Sequence, residues 1–206
     1  MTDGATGATP VVPNHHGDHP GFSGFTGWIA AQTMRVKRAR AAEVAIELTG
    51  LTAGDRLVDI GCGPGVAARL AAKRGATVVG VDPATVMLDV ARRHDGRRTV
   101  TWREGVVEAL PLPDASCDVA WSLATVHHWP DVDGGLAEVR RVLGDGGRFL
   151  ATERRVKPGA TGLASHGWTD RQAEVFAELC RSAGFGSVDV VSRRNGRGSL
   201  LAVLAT

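Results

Sequence analysis

The sequence predicts an α/β protein built on one doubly wound sheet of seven strands, mostly parallel, with an antiparallel last strand. Three observations predict it. Short apolar runs alternate with helical stretches from residue 56 onward, the pattern of a parallel sheet covered on both faces. The run Val58-Asp59-Ile60 opens through Gly61-Cys62-Gly63-Pro64-Gly65 into a helical stretch, the strand–turn–helix start of a βαβ unit. Asn195-Gly196 joins the last two apolar runs and supplies the two φ > 0 positions of a tight hairpin, which turns the final strand antiparallel to its neighbour.

The elements follow in order. Strands are expected over 56–60, 77–82, 99–103, 117–122, 147–152, 187–193 and 199–205, and helices over 65–74, 84–94, 131–143 and 169–183. A leader helix is expected from Thr33 to Thr49, with Val36, Ala39, Val44 and Leu48 as its apolar stripe and Gly50 as its stop. Thr169-Asp170-Arg171-Gln172 reads as a capping box, in which the Thr hydroxyl and the Gln amide satisfy free backbone groups. Residues 1–28 have no period and form a flexible N-terminal segment, while 29–206 form a single domain. Phe22, Phe25 and Trp28 give that segment apolar anchors for docking as a lid, because residues 153–168 are too few to supply a cap.

Composition bounds the function. With 43% apolar residues and a formal net charge of +2, neither a membrane span nor general polyanion binding is written into the chain. Cys62, Cys117 and Cys180 lack C-x-x-C spacing and are odd in number, which points to reduced thiols and a cytoplasmic location; no export signal is evident. His15, His16 and His19 have metal-ligand spacing but only Asp18 beside them, so no metal site is expected.

The glycine loop and Asp82 carry the strongest chemical signal. Gly61, Gly63 and Gly65 let the backbone approach a ligand closely. Asp82-Pro83 closes the second strand at the separation from Gly61 that places an acid on a ribose; the same carboxylate can also cap the helix beginning at Ala84. A dinucleotide-binding dehydrogenase is the rival, but it calls for G-x-G-x-x-G, and Pro64 stands in the way of that spacing.

These motifs resemble the class I S-adenosylmethionine (SAM)-dependent methyltransferases, and within them the small-molecule type of quinone biosynthesis. The match runs through Asp59 to Gly65, Gly80-Val81-Asp82, Glu108 to Asp114 with Cys117-Asp118-Val119, and Leu143 to Arg148, and covers roughly residues 35–206. It implies a Rossmann-like fold, SAM as cofactor with S-adenosylhomocysteine as product, and a small-molecule O, N or C acceptor. It implies that Asp59 orients the methionine amino group and that Asp82 binds the ribose hydroxyls. After the third strand the family commonly places an acid for the adenine amino group. Val106 stands there, so adenine is left with apolar walls, the Val107 backbone N–H and Met87, and affinity should suffer. Ser122 to Ala124 lie toward the sulfonium, and His127 toward the substrate, as a proton acceptor or as a structural histidine tying the loop to the sheet. SAM carries an activated methyl group, so positioning supplies much of the catalysis and a universal catalytic residue is not required. Two other functions compete: an RNA or protein methyltransferase using Arg92, Arg93, Arg97, Arg98 and the Arg154-Arg155-x-Lys157 run as an electrostatic track, and a SAM-binding regulator without turnover. The oligomeric state stays open.

Overall fold

The structure is a computed structural model that describes residues 12–14, 39–97, 99–196 and 198–206. The expectations placed on His15, His16, His19, Phe22, Phe25 and Trp28 lie outside these residues. In chain order the elements are α1 (described over residues 39–49), β1 (Arg56–Ile60), α2 (Val66–Lys73), β2 (Thr77–Asp82), α3 (Thr85–His94), β3 (Val100–Glu104), β4 (Cys117–Leu123), α4 (Val132–Val142), β5 (Leu143–Arg154), α5 (Asp170–Ser182), β6 (Val188–Asn195) and β7 (Gly198–Ala205). They form one seven-stranded sheet in the order β3-β2-β1-β4-β5-β7-β6. The pairs among β1 to β5 are parallel, and β7 inserts antiparallel between β5 and β6. Strand order reverses between β1 and β4, which opens a crevice at the carboxyl ends of those two strands.

Helices cover both faces. α4 and α5 pack Leu136, Val139, Phe176 and Cys180 against one side of the sheet, while α1 and α2 pack Ala42, Ala45, Ala68 and Ala71 against the other. Helices α2 to α5 begin and end within a residue of expectation, α1 ends at the expected Thr49, and the Thr169–Gln172 capping box is formed with both reciprocal bonds.

Three expectations need correction. The buried face of α1 is Ala42, Ala45, Ile46 and Thr49, whereas Ala39 is exposed and Val44 and Leu48 lie only half-buried at its margins. An alanine-rich helix gives little contrast between faces, so sheet contacts set its rotation. β5 begins at Leu143 rather than 147, because Leu143 already pairs with Cys117; the Gly144–Gly147 stretch is a bulge inside the strand. The β6–β7 connection begins two residues beyond the expected strand end at 193. Asn195 pairs with Gly198 as the last rung and is not at positive φ, contrary to expectation, while Gly196, at φ 63°, takes the left-handed position.

Arg56 and Asp118 clamp the amino ends of β1 and β4, on the edge opposite the crevice. The guanidinium donates to both carboxylate oxygens at 2.7 and 3.0 Å, and the Arg56 backbone N–H adds a bond of 2.8 Å. The Arg56 bonds hold the Asp118 carboxyl down to about 2 from an ordinary 3.8. A depressed folded-state pKa gives stability that is present above about pH 4 and lost as pH falls toward about 2. Both side chains are more than a third exposed, so solvent screening keeps this contribution modest. Urea midpoints of Asp118→Asn and the parent chain should therefore differ at neutral pH and converge as pH falls to about 2. A gap that persists at the acid limit would assign the effect to lost packing.

Candidate cofactor and acceptor site

The loop between β1 and α2 is a run of left-handed turns, with Gly61, Gly63 and Gly65 at φ 66°, 54° and 72°. Two of these glycines are also demanded by the protein's own packing. A Cβ on Gly61 would stand 2.6 Å from Thr125 Cγ2, and one on Gly65 would stand 2.2 Å from the Trp102 ring. The Trp102 indole fills the space above Gly65 and Gly80 and anchors its Nε1–H on Asp95 at 3.2 Å. Gly65→Ala combines left-handed strain with overpacking and should destabilise the fold by about 2–4 kcal/mol. In denaturant unfolding, Trp102→Leu should recover the overpacking share in the double variant; strictly additive losses would mean that the ring is not the obstacle.

Asp82 stands at the end of β2 and joins this loop to the next helix. Its Oδ2 accepts the Gly63 backbone N–H at 2.8 Å, and its Oδ1 accepts the Ala84 N–H at 2.9 Å. The carboxylate thus takes the helix-start role foreseen for it. Pro83 beside it is exposed. Asp59, only 2% exposed, sits one residue below the loop with Gly80 and Trp121 as its strand partners. Past β3, Val106 is 45% exposed and bridges to Ala109, whereas the Val107 side chain is buried in the core. Met87 is buried in α3 and packs with Val90, so packing accounts for its side chain. The Glu108–Asp114 segment that follows is clamped by Arg141, which donates to Glu138, Asp114 and the carbonyls of Leu110 and Leu112.

Across the crevice, β4 ends in a turn with Ala124 at φ 60°, left-handed for a residue with a Cβ. The turn is held from both sides: the Ala124 N–H donates to Thr152 O at 2.7 Å, and Thr125 packs on Gly61. Ser122 is wholly buried, with its hydroxyl 2.6 Å from that of Thr125. Its hydroxyl therefore braces the turn. The next residues form the 3-10 turn Val126–His128, which carries His127 inward and His128 half-exposed.

Glu153, one residue from the end of β5, is 0% exposed and receives His127 twice, from Nδ1 at 2.8 Å and from the backbone N–H at 3.3 Å. His127 is both tied to the sheet, as the structural reading required, and fixed in the tautomer that donates from Nδ1. Glu153 escaped the sequence reading, although an acid closing the apolar run Phe149-Leu150-Ala151 is a signal. His166 escaped it too. It arrives through the loop after β5, where Arg154 donates to the carbonyls of His166 and Ala164 at 3.0 and 2.8 Å. Gly167, at φ 141°, lets this loop pass so close to Arg154 O that a Cβ would collide with it. Residues 12–14 anchor beside the same turn: Asn14 Nδ2 donates to Trp129 O at 3.0 Å, and Trp168 Nε1 donates to Pro13 O at 2.9 Å.

Cys117 and Cys180 are buried thiols, and burial pushes Cys180 up to about 12, so neither is a nucleophile. Among the described residues no helix is long and apolar enough to cross a membrane.

Residues 58–151 match the family model described as a methyltransferase domain. The 27-O-demethylrifamycin SV methyltransferase of Amycolatopsis mediterranei (strain S699) is 37% identical over 147 residues, which are 69% of this chain and 50% of that protein. Demethylmenaquinone methyltransferase of Tropheryma whipplei (strain Twist) is 36% identical over 110 residues, 53% of this chain and 46% of that protein. The chain thus spans about half the length of the curated relatives it matches. A SAM-dependent methyltransferase from Aquifex aeolicus shares the fold with a TM-score of 0.72 at 17% identity, over 86% of this chain and 97% of that one. The glycine loop, Asp82 and the His127 turn all lie within residues 58–151, the region that matches the methyltransferase-domain family, and the sheet that carries them shares its fold with the Aquifex aeolicus protein.

Proposed function

We propose that the chain transfers the methyl group of SAM to a small-molecule acceptor and that His127 takes the proton the acceptor gives up. The observation that carries this reading is the buried Glu153–His127 pair on a turn braced against the glycine loop. Cofactor and base are thereby set on the two walls of one crevice.

In this reading Gly61, Gly63, Gly65, Asp59, Asp82, Pro83 and the Val107 backbone hold the cofactor. Asp82, held at the end of β2 by the Gly63 and Ala84 N–H groups, takes the ribose hydroxyls. SAM supplies an electrophilic methyl, and the chain supplies alignment, exclusion of water and a destination for the proton. Glu153 accepts from Nδ1, which makes Nε2 the basic nitrogen of the ring. A small-molecule acceptor is favoured by the names of the relatives, which concern a rifamycin and a menaquinone precursor. Three of the arginines that could track RNA have local duties: Arg92 pairs with Asp89, Arg155 with Asp170, and Arg154 shapes the His166 loop. Buried thiols suit a cytoplasmic location.

The test is S-adenosylhomocysteine release with a panel of hydroxylated quinones, phenols and polyketides. His127→Ala should lose about 10²–10⁴-fold in kcat, the range of general-base catalysis, and still bind S-adenosylhomocysteine. Full turnover in that variant would remove His127 from the chemistry. Val106→Asp tests the adenine wall. The position is exposed enough to accept a carboxylate, and cofactor affinity should rise by up to about tenfold. Weaker binding in a folded Val106→Asp protein would place the adenine elsewhere.

A further inference from the structure

Two histidines of the turn after β4 and one from the loop after β5 converge. The nitrogens that His127, His128 and His166 present all lie within 4.8 Å of one another. The ring centroids are 4.1 Å apart for His127–His128, 5.4 Å for His127–His166 and 5.5 Å for His128–His166. We propose that this trio is a binding site for one divalent transition-metal ion of the zinc class.

The donor set argues for that class. Three imidazoles suit zinc, cobalt, nickel or copper, whereas magnesium and calcium call for oxygen. The surroundings argue for a built site. Metal-ligating histidines usually donate their second ring nitrogen to a carboxylate, which fixes the tautomer and raises ligand basicity. Glu153 has that relation to His127, with Oε1 at 2.8 Å from Nδ1 and the carboxylate 0% exposed. Nε2 is then the ligating atom. The other carboxylate oxygen, Oε2, is buried with no hydrogen-bond partner. A buried carboxylate of this kind is costly without a positive charge nearby, and a dication on the far side of the imidazole supplies one. His166 is positioned independently, by the two Arg154 bonds to its loop and by the close pass at Gly167.

The fit needs only small movements. Zinc–nitrogen bonds of about 2.0–2.1 Å in a tetrahedron set ligand nitrogens about 3.3 Å apart. The trio therefore closes by about 1.5 Å at its widest, within reach of side-chain rotation at the half-buried His128 and His166. A tetrahedral ion takes a fourth ligand beyond these three of the described residues. The sequence hides the site because its ligands lie 38 positions apart, between His128 and His166, and join only when β4 and β5 pair.

One consequence links this site to the proposed base without resting on it. The Nε2 lone pair cannot hold a proton and a metal ion together, so occupancy by metal and proton transfer through His127 exclude one another.

The full chain, freed of metal by chelation, should be titrated with Zn²⁺ by calorimetry, and with Co²⁺ while following the visible absorption of four-coordinate cobalt. We expect one ion per chain at micromolar or tighter affinity. His128→Ala and His166→Ala should each weaken it at least tenfold, with thermal unfolding and S-adenosylhomocysteine binding as checks on folding. Glu153→Gln should weaken it by about 10–100-fold, the usual effect of an outer-shell change. Replacing His15, His16 and His19 together by alanine should leave the affinity in place. Absence of stoichiometric binding would overturn the proposal. So would binding that survives His128→Ala and His166→Ala but disappears with the N-terminal histidines. The readout is metal, so failure here leaves the methyl-transfer reading standing, and an inactive protein that binds zinc through the trio leaves the site standing.

Discussion

Asp82→Ala should weaken binding of SAM and S-adenosylhomocysteine by at least tenfold in calorimetry and should also loosen the protein before any ligand arrives. The two effects have one origin. Asp82 accepts the Gly63 and Ala84 backbone N–H groups at 2.8 and 2.9 Å, so it sets the glycine loop against the start of α3, beside the ribose contact proposed for it. Alanine removes two charge-assisted bonds to the proposed ribose, each worth about 1.5–3 kcal/mol before water compensates. It also strands a buried Gly63 N–H, at about 1–3 kcal/mol. Asp82→Asn offers a single acceptor oxygen and turns an NH₂ toward one of the two backbone donors, so it should behave more like alanine than its shape suggests. Unchanged affinity in a folded Asp82→Ala protein would remove Asp82 from the cofactor site and leave it a brace of the loop.

That double use of Asp82 illustrates what the sequence made legible. Strand and helix limits were readable because they are set locally, by apolar period, glycine stops and the Thr169–Gln172 box. The glycine loop was readable as a tight left-handed turn, yet part of the reason for its glycines was not. Thr125 and Trp102 crowd Gly61 and Gly65, and those neighbours come from β4 and β3, distant in sequence. The α1 face was misjudged for a related reason: alanines at 39, 42 and 45 carry no preference until the sheet chooses among them. His127 was visible as a residue type at a strand end. Its partner was not, because Glu153 becomes its neighbour through the parallel pairing of β4 with β5, in which Leu123 faces Thr152.

Glu153→Gln should separate activity from stability. Burying a carboxylate at 0% exposure is costly, and one of its oxygens has no hydrogen-bond partner. Glutamine keeps the volume, and its carbonyl can still accept the His127 Nδ1–H, so the hydrogen bond that holds the ring survives. The amide group replaces the oxygen that has no partner, which makes the two effects on stability oppose each other, and the melting temperature should stay level or rise slightly. Activity should move the other way. As His127 takes a proton it becomes imidazolium, and a carboxylate stabilises that charge where a neutral amide does not. The expected loss is about 10²-fold in kcat, at the lower end of general-base contributions, with the KM for SAM unchanged because the cofactor wall is untouched. Glu153→Asp restores the charge on a shorter arm and should recover part of the rate, a rescue that a purely structural role would not give. If instead Glu153→Gln melts several degrees lower and turns over at the parent rate, Glu153 is a scaffold residue, and the proton leaves the acceptor by another route.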